Sequence, residues 1–157
     1  MADKTDNLLE CDANLFRAAY MCAAIEETRY YLRGVHVEPH PRNGAVLVAT
    51  DGHRMIVIHD ETAKCKKPLI VRLDSRGIAA CVPRKTHQGP RLIVDHAGIA
   101  KVPGGWLAAA SCLVDGVYPD WLKVLPTNGL GNVPTSLNGR LVSDFSRIAA
   151  ILQRDKA

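Results

Sequence analysis

The sequence predicts an α+β fold, an antiparallel sheet with helices on one face. Two observations predict it. Apolar runs of strand type follow one another across two hairpin signals, Asn43-Gly44 and Asp51-Gly52. Helically spaced apolar residues gather in only three places: Leu15, Ala18, Ala19, Cys22 and Ile25 near the start, Ile78 to Cys81 inside, and Leu141, Phe145, Ile148 and Leu152 near the end. Strands and helices therefore segregate rather than alternate, which disfavours a parallel α/β sheet.

The chain has 157 residues, enough for one domain and a remainder. With 47% apolar and 23% charged residues it reads as globular, not disordered. No apolar run reaches the roughly 18 residues of a membrane span. The first ten residues are polar and lack the apolar core of a signal peptide. Five cysteines, odd in number and without a Cys-x-x-Cys pair, read as reduced core fillers of a cytoplasmic protein. The net charge of +4 permits a polyanionic partner without demanding one, so the placement of the cations decides.

In chain order, Asp12 or Asn14 caps a helix running to about residue 26. Residues 31–38 read as a strand rich in β-formers. The Asn43-Gly44 turn leads to a strand over 45–50. Asp51-Gly52, read as a type I′ turn, leads to another from Met55 to about His59, completing a three-stranded meander. Residues 61–68 form a lysine-rich loop, and 69–73 a short strand. Asp74 or Ser75 caps a brief helix that Gly77 weakens and Pro83 ends. A basic loop covers 84–90, a hairpin joins 91–94 to 98–102, and 106–114 is the last strand.

Residues 117–126 are irregular and bounded by prolines, and 127–135 read as a Gly/Asn/Pro-rich linker. A final helix from about 141 to 154, started by Ser136 or Asn138, has nothing of its own to bury against. It must pack on the preceding domain, on another chain, or on protein outside this sequence. The organisation expected is a domain over 8–126, a linker over 127–135 and a helical extension over 136–157.

Four segments resemble one family, in order and at similar spacings. They are Arg29-Tyr30-Tyr31-Leu32-Arg33-Gly34, then Ala49-Thr50-Asp51-Gly52-His53-Arg54-Met55, then Leu113-Val114-Asp115-Gly116-Val117-Tyr118-Pro119-Asp120, and last Val124-Leu125-Pro126. The chain resembles the middle domain of the bacterial DNA polymerase III beta subunits, the sliding clamps. Phe145-Ser146-Arg147-Ile148-Ala149-Ala150-Ile151-Leu152 is similar to the first helix of their next domain.

The resemblance implies a DNA-clamp fold and a processivity factor with no catalytic activity and no cofactor. It implies a homo-oligomeric ring whose helices line a hole around duplex DNA. It also implies an outer groove that takes linear motifs of DNA polymerase and clamp-loader subunits. Carried over, that groove uses Leu32, Thr50, Gly52, His53, Arg54, Met55, Pro119, Lys123 and Val124. Leu32, Met55, Pro119 and Val124 would make an apolar shelf, with His53 and Arg54 as polar handles. Read without the resemblance, Leu32, Met55 and Val124 are core residues and His53 a turn histidine. The chain departs from the family in its short, glycine-broken second helix, and it matches neither the first domain nor most of the third.

Candidate phosphate contacts are Arg29 with Tyr30 and Tyr31, then Arg72, Arg76, Arg84 and Lys85 around the second helix. Arg140, Arg147 and Arg154, spaced by seven, fall along one side of the last. Metal chemistry is disfavoured: Pro39 in His36-Val37-Glu38-Pro39-His40 forbids the helix that would align zinc ligands. No Gly-rich phosphate loop is present. The alternative to a DNA-encircling clamp is a single-domain interaction module, a decoy or regulator of a replication clamp.

Overall fold

Two four-stranded antiparallel sheets, rather than one, organise the chain in the computed structural model, which describes residues 6–85, 89–103, 112–128, 131 and 136–153. The elements are β1 (Leu9–Asp12), α1 (Ala13–Tyr20), β2 (Val35–Pro39), β3 (Ala45–Thr50), β4 (Met55–Asp60), β5 (Lys64–Cys65), β6 (Leu69–Val71), α2 (Ser75–Ala80), β7 (Arg91–Val94), β8 (Ala100–Lys101) and α3 (Gly139–Gln153). One sheet has the order β5-β1-β7-β8, the other β4-β3-β2-β6. The arrangement is α+β, as the sequence predicts.

Strand β3 shows why the second sheet forms. Its residues 45–49 are all buried, and alternate side chains serve two cores. Ala45, Leu47 and Ala49 enter the main core with Phe16 and Ala19 of α1. Val46 and Val48 face a smaller cluster with Leu32, Ile70 and Tyr118. The strand is thus covered on both faces, which explains its unbroken apolar run.

The β3–β4 register pairs Thr50 with Met55 and leaves a four-residue loop, so the expected two-residue type I′ turn is not what forms. Asp51 takes over the turn chemistry: its Oδ1 accepts the backbone N–H of His53 at 2.9 Å and of Arg54 at 3.1 Å. Only Gly52, at φ +89°, supplies a left-handed step that the loop needs from a glycine.

Several boundaries differ from expectation. The first helix stops at Tyr20 instead of about 26, and Glu27–Leu32 winds as a kinked 3-10 turn. Strand β2 therefore begins at Val35, not 31. Gly34 fixes that start, because a Cβ there would lie 2.6 Å from the Val71 carbonyl oxygen of neighbouring β6. Strands β1 and β5 were not expected; β1 alternates buried Leu9 and Cys11 with half-exposed Glu10 and Asp12 over only four residues. The hairpin arm expected over 98–102 shrinks to β8, because the Asp95 carboxylate caps the backbone of Ala97 and Ile99.

The strand expected over 106–114 lies largely outside the described residues, although Leu113 bridges Val71. The helix caps follow the sequence. Asp12 accepts the N–H of Asn14 and Leu15 ahead of α1, and Asp74 accepts that of Gly77 ahead of α2.

Helix α3 packs on the preceding domain, against α1. Ile148 is buried in the main core, with Ile151 and Leu152 packed beside it. The Asn14 side-chain amide donates to the Ile151 carbonyl at 3.2 Å. The buried stripe is rotated from the expected one, and Phe145 is left 41% exposed.

Candidate peptide-binding groove

Three segments meet at one edge of the second sheet. They are the loop 51–54, the 3-10 turn Glu27–Leu32, and the proline-bounded strap that contains the 3-10 turn Trp121–Val124. Between them lies a cavity of about 390 Å³. Leu32, Thr50, Gly52, His53, Arg54, Met55, Pro119 and Val124 all line it. Lys123 does not; it is exposed and its Nζ pairs with Asp120 at 3.1 Å.

Tyr118, Asp120 and Trp121 also line the cavity and were not singled out as site residues. Their signal was an aromatic on each side of Pro119-Asp120 in a strap too irregular to be a strand. Tyr118 is buried and stacks on His36 with ring centroids 4.6 Å apart and planes 9° from parallel. Burial pushes its phenol well above the usual range, so it stays neutral. Its hydroxyl lies 3.5 Å from the Val48 carbonyl, at the outer limit of a hydrogen bond. Leu32 is buried and forms the floor, whereas Val124 is 69% exposed at the mouth, an apolar side chain with no cover.

Arg54 forms one wall and is fully engaged. Nε donates to Asp51 at 3.1 Å, Nη2 to the Met21 carbonyl at 2.9 Å, and Nη1 to Asp144 of α3 at 2.7 Å. Burial opposes its charge, but the bond to Asp144 and nearby Asp51 outweigh that and hold its pKa above the usual value. The same bond holds the Asp144 carboxyl below the usual carboxylate range, against the opposing effect of desolvation. No signal in the sequence marks Asp144 as a partner of the loop.

The candidate phosphate contacts lie outside the groove. Arg29 is exposed and leans on the loop, its Nη1 donating to the Asp51 carbonyl at 3.4 Å. Tyr30 and Tyr31 stack edge to face at 5.6 Å against Gly116, beside the strap rather than on the helices. Arg72 follows β6. Arg76 is exposed on α2, Arg84 and Lys85 after it, and Arg140 and Arg147 on α3. Arg154 lies outside the described residues. Among the described residues no group of three or more His, Cys, Asp or Glu could hold a metal ion. No helix among them is long and apolar enough to cross a membrane.

No protein-family model matches the chain. Comparison with curated proteins finds the beta sliding clamp of Caulobacter vibrioides, 31% identical over 140 residues, spanning 80% of this chain and 35% of that protein. Among solved structures, the DNA polymerase III beta subunit of Thermotoga maritima superposes with a TM-score of 0.58 at 20% identity, covering 81% of this chain and 36% of that one. The Helicobacter pylori beta clamp, bound to a DNA ligase peptide, superposes with a TM-score of 0.55 at 16% identity over 78% of this chain and 37% of that one. The chain thus spans about a third of the length of the relatives it matches. Over that stretch the chain is similar in sequence to the bacterial beta sliding clamps and shares the fold of DNA polymerase III beta subunits.

Proposed function

We propose that this chain is a non-enzymatic clamp-type module of DNA replication that receives short apolar peptide motifs of replication proteins, polymerase and clamp-loader subunits among them. The carrying observation is the cavity between loop 51–54 and the strap, with a buried Leu32 floor and an uncovered Val124 rim. Such a concavity, apolar with a few polar groups at its edge, suits an extended peptide that plants one or two apolar side chains. The Helicobacter pylori clamp, seen with a ligase peptide, supports the same choice of ligand.

The test is fluorescence anisotropy with a labelled ligase-derived peptide of that kind. Val124→Glu puts a charge at the exposed rim without touching the core and should weaken binding by at least about tenfold, or 1.4 kcal/mol. No saturable binding, or equal affinity in the variant, would refute the reading.

A clamp also associates with duplex DNA, and we propose that Arg76, Arg140 and Arg147, with Arg84 and Lys85, provide weak, sequence-independent phosphate contacts in an oligomer of this chain. The log of affinity should then fall with log salt at roughly −0.9 per phosphate neutralised. One observation favours the interaction module that does not encircle DNA: α3 lies over α1, the helix that the resemblance would turn toward the duplex. Light scattering separates the two. A monomer that binds peptide and shows no salt-dependent duplex association is an interaction module; a multimer that binds both is a clamp.

A further inference from the structure

A second recess, of about 480 Å³, opens on the other side of loop 51–54 and shares His53 and Arg54 with the groove. Its floor is apolar, made by Met21, Ala23 and Ala24 just after α1, with the 88% exposed Ile25 at its edge. Its walls carry Arg33 and Arg72. Among the described residues neither arginine has a carboxylate within ion-pair distance, unlike Arg54, which has two. The Arg72 guanidinium is held against the Tyr20 hydroxyl, which itself donates to the Leu73 carbonyl at 2.8 Å. With Arg54 matched by Asp51 and Asp144, Arg33 and Arg72 are the cations left to face a ligand, with Glu26 at the exposed rim.

We propose that this recess is an accessory subsite for acidic residues that flank the apolar motif, with Arg33 and Arg72 pairing their carboxylates. The inference rests on the groove reading above and extends it from an apolar motif to an apolar motif with an acidic neighbour. Two features favour a peptide over a nucleic-acid backbone. The recess is continuous with the peptide cavity through His53 and Arg54, and its apolar floor suits peptide side chains rather than a run of phosphates. An arginine pair with a shaped floor selects for flanking sequence, where the groove alone would select only for apolar anchors.

The experiment uses the full chain and the labelled ligase-derived peptide in three forms: unmodified, with two glutamates added at one end or the other, and with lysines in their place. Glutamates at one of the two ends should tighten binding by about threefold to tenfold at low salt, the range of one or two partly exposed ion pairs. The gain should shrink at physiological salt. Arg33→Gln with Arg72→Gln should abolish the gain and leave the affinity for the unmodified peptide unchanged, which also shows that the double variant folds. If the unmodified peptide binds and glutamates at neither end help, or the gain survives in the double variant, the subsite is refuted and the groove stands. If the unmodified peptide does not bind, groove and subsite fall together. If the double variant loses duplex association and keeps the glutamate gain, the arginines serve nucleic acid and the proposal is overturned.

Discussion

Arg54 Nη1 and Asp144 Oδ2 meet at 2.7 Å although ninety positions separate them in the chain. The same guanidinium walls the candidate groove, braces loop 51–54 through Asp51 and reaches the Met21 carbonyl at the end of α1. Groove and C-terminal helix therefore share one side chain, which predicts that a change at either should be felt at the other.

Removing the carboxylate tests that coupling. Asp144→Asn leaves the shape intact but trades a charge-assisted bond for a neutral one, roughly half as strong. Protease cleavage within residues 127–138 should become several-fold faster, while amides of β2 and β3 keep their exchange protection. Equal cleavage of variant and parent would show that Ile148 and its neighbours hold α3 without help from Arg54.

Acid should do the same job reversibly. A carboxyl with a depressed native pKa contributes stability that is fully present above its unfolded value, about 3.9, and is lost as pH falls through the native value. Asp144 is such a group, so α3 should stay docked across neutral pH and loosen below about pH 4. The methyl resonances of Ile148, buried only while α3 is docked, report it. In Asp144→Asn this acid step should disappear; its persistence would assign the transition to another carboxylate.

Gly44 and Gly89 both have positive φ, +70° and +68°, in unlike surroundings. A Cβ on Gly44 would lie 2.0 Å from the Asp60 carbonyl oxygen, whereas one on Gly89 meets nothing within 4 Å. Gly89→Ala should cost about 1 kcal/mol from backbone strain, and Gly44→Ala about 2 to 4 kcal/mol because the hairpin must also shift. Urea midpoints at unchanged m value measure both. Equal losses would mean that the end of β4 yields freely.

The cysteines should be quiet. Burial pushes Cys81 up to about 12 and Cys65 and Cys112 up to about 11, and all five thiols are free. Near pH 8 these three should react with Ellman's reagent roughly a hundredfold more slowly than an exposed thiol, and all five at once after unfolding. A fast native reaction at any of the three would contradict the burial.

The meander was legible because β3 and β4 carry apolar runs rich in Val and Ile, β2 alternates Val with polar residues, and glycines stand between them, so pattern and turn chemistry agree. Strand β1 was hidden by its length: Leu9 and Cys11 are two apolar positions in a polar neighbourhood, and what makes them a strand is pairing with β5 and β7 on either side. The groove residues were named through the family resemblance that their motifs carry, and eight of the nine line one cavity. Tyr118 and Trp121 escaped because their burial depends on His36 and the second core, which no local window contains. The docking of α3 was unreadable for a similar reason. Its polar anchors, Asn14 and Arg54, sit in segments whose own patterns are already satisfied without it.

The strand order has a consequence for how the molecule is made. The chain leaves the β5-β1-β7-β8 sheet after β1, builds β2 to β4 in the other, returns for β5, leaves again for β6 and comes back for β7. Neither sheet is a contiguous piece of sequence, so a nascent chain on the ribosome cannot finish one before the other has begun. Strand β1 can pair with β5 early, but its other edge stays open until β7 has emerged, so the β5-β1-β7-β8 sheet is completed late and through contacts distant in sequence.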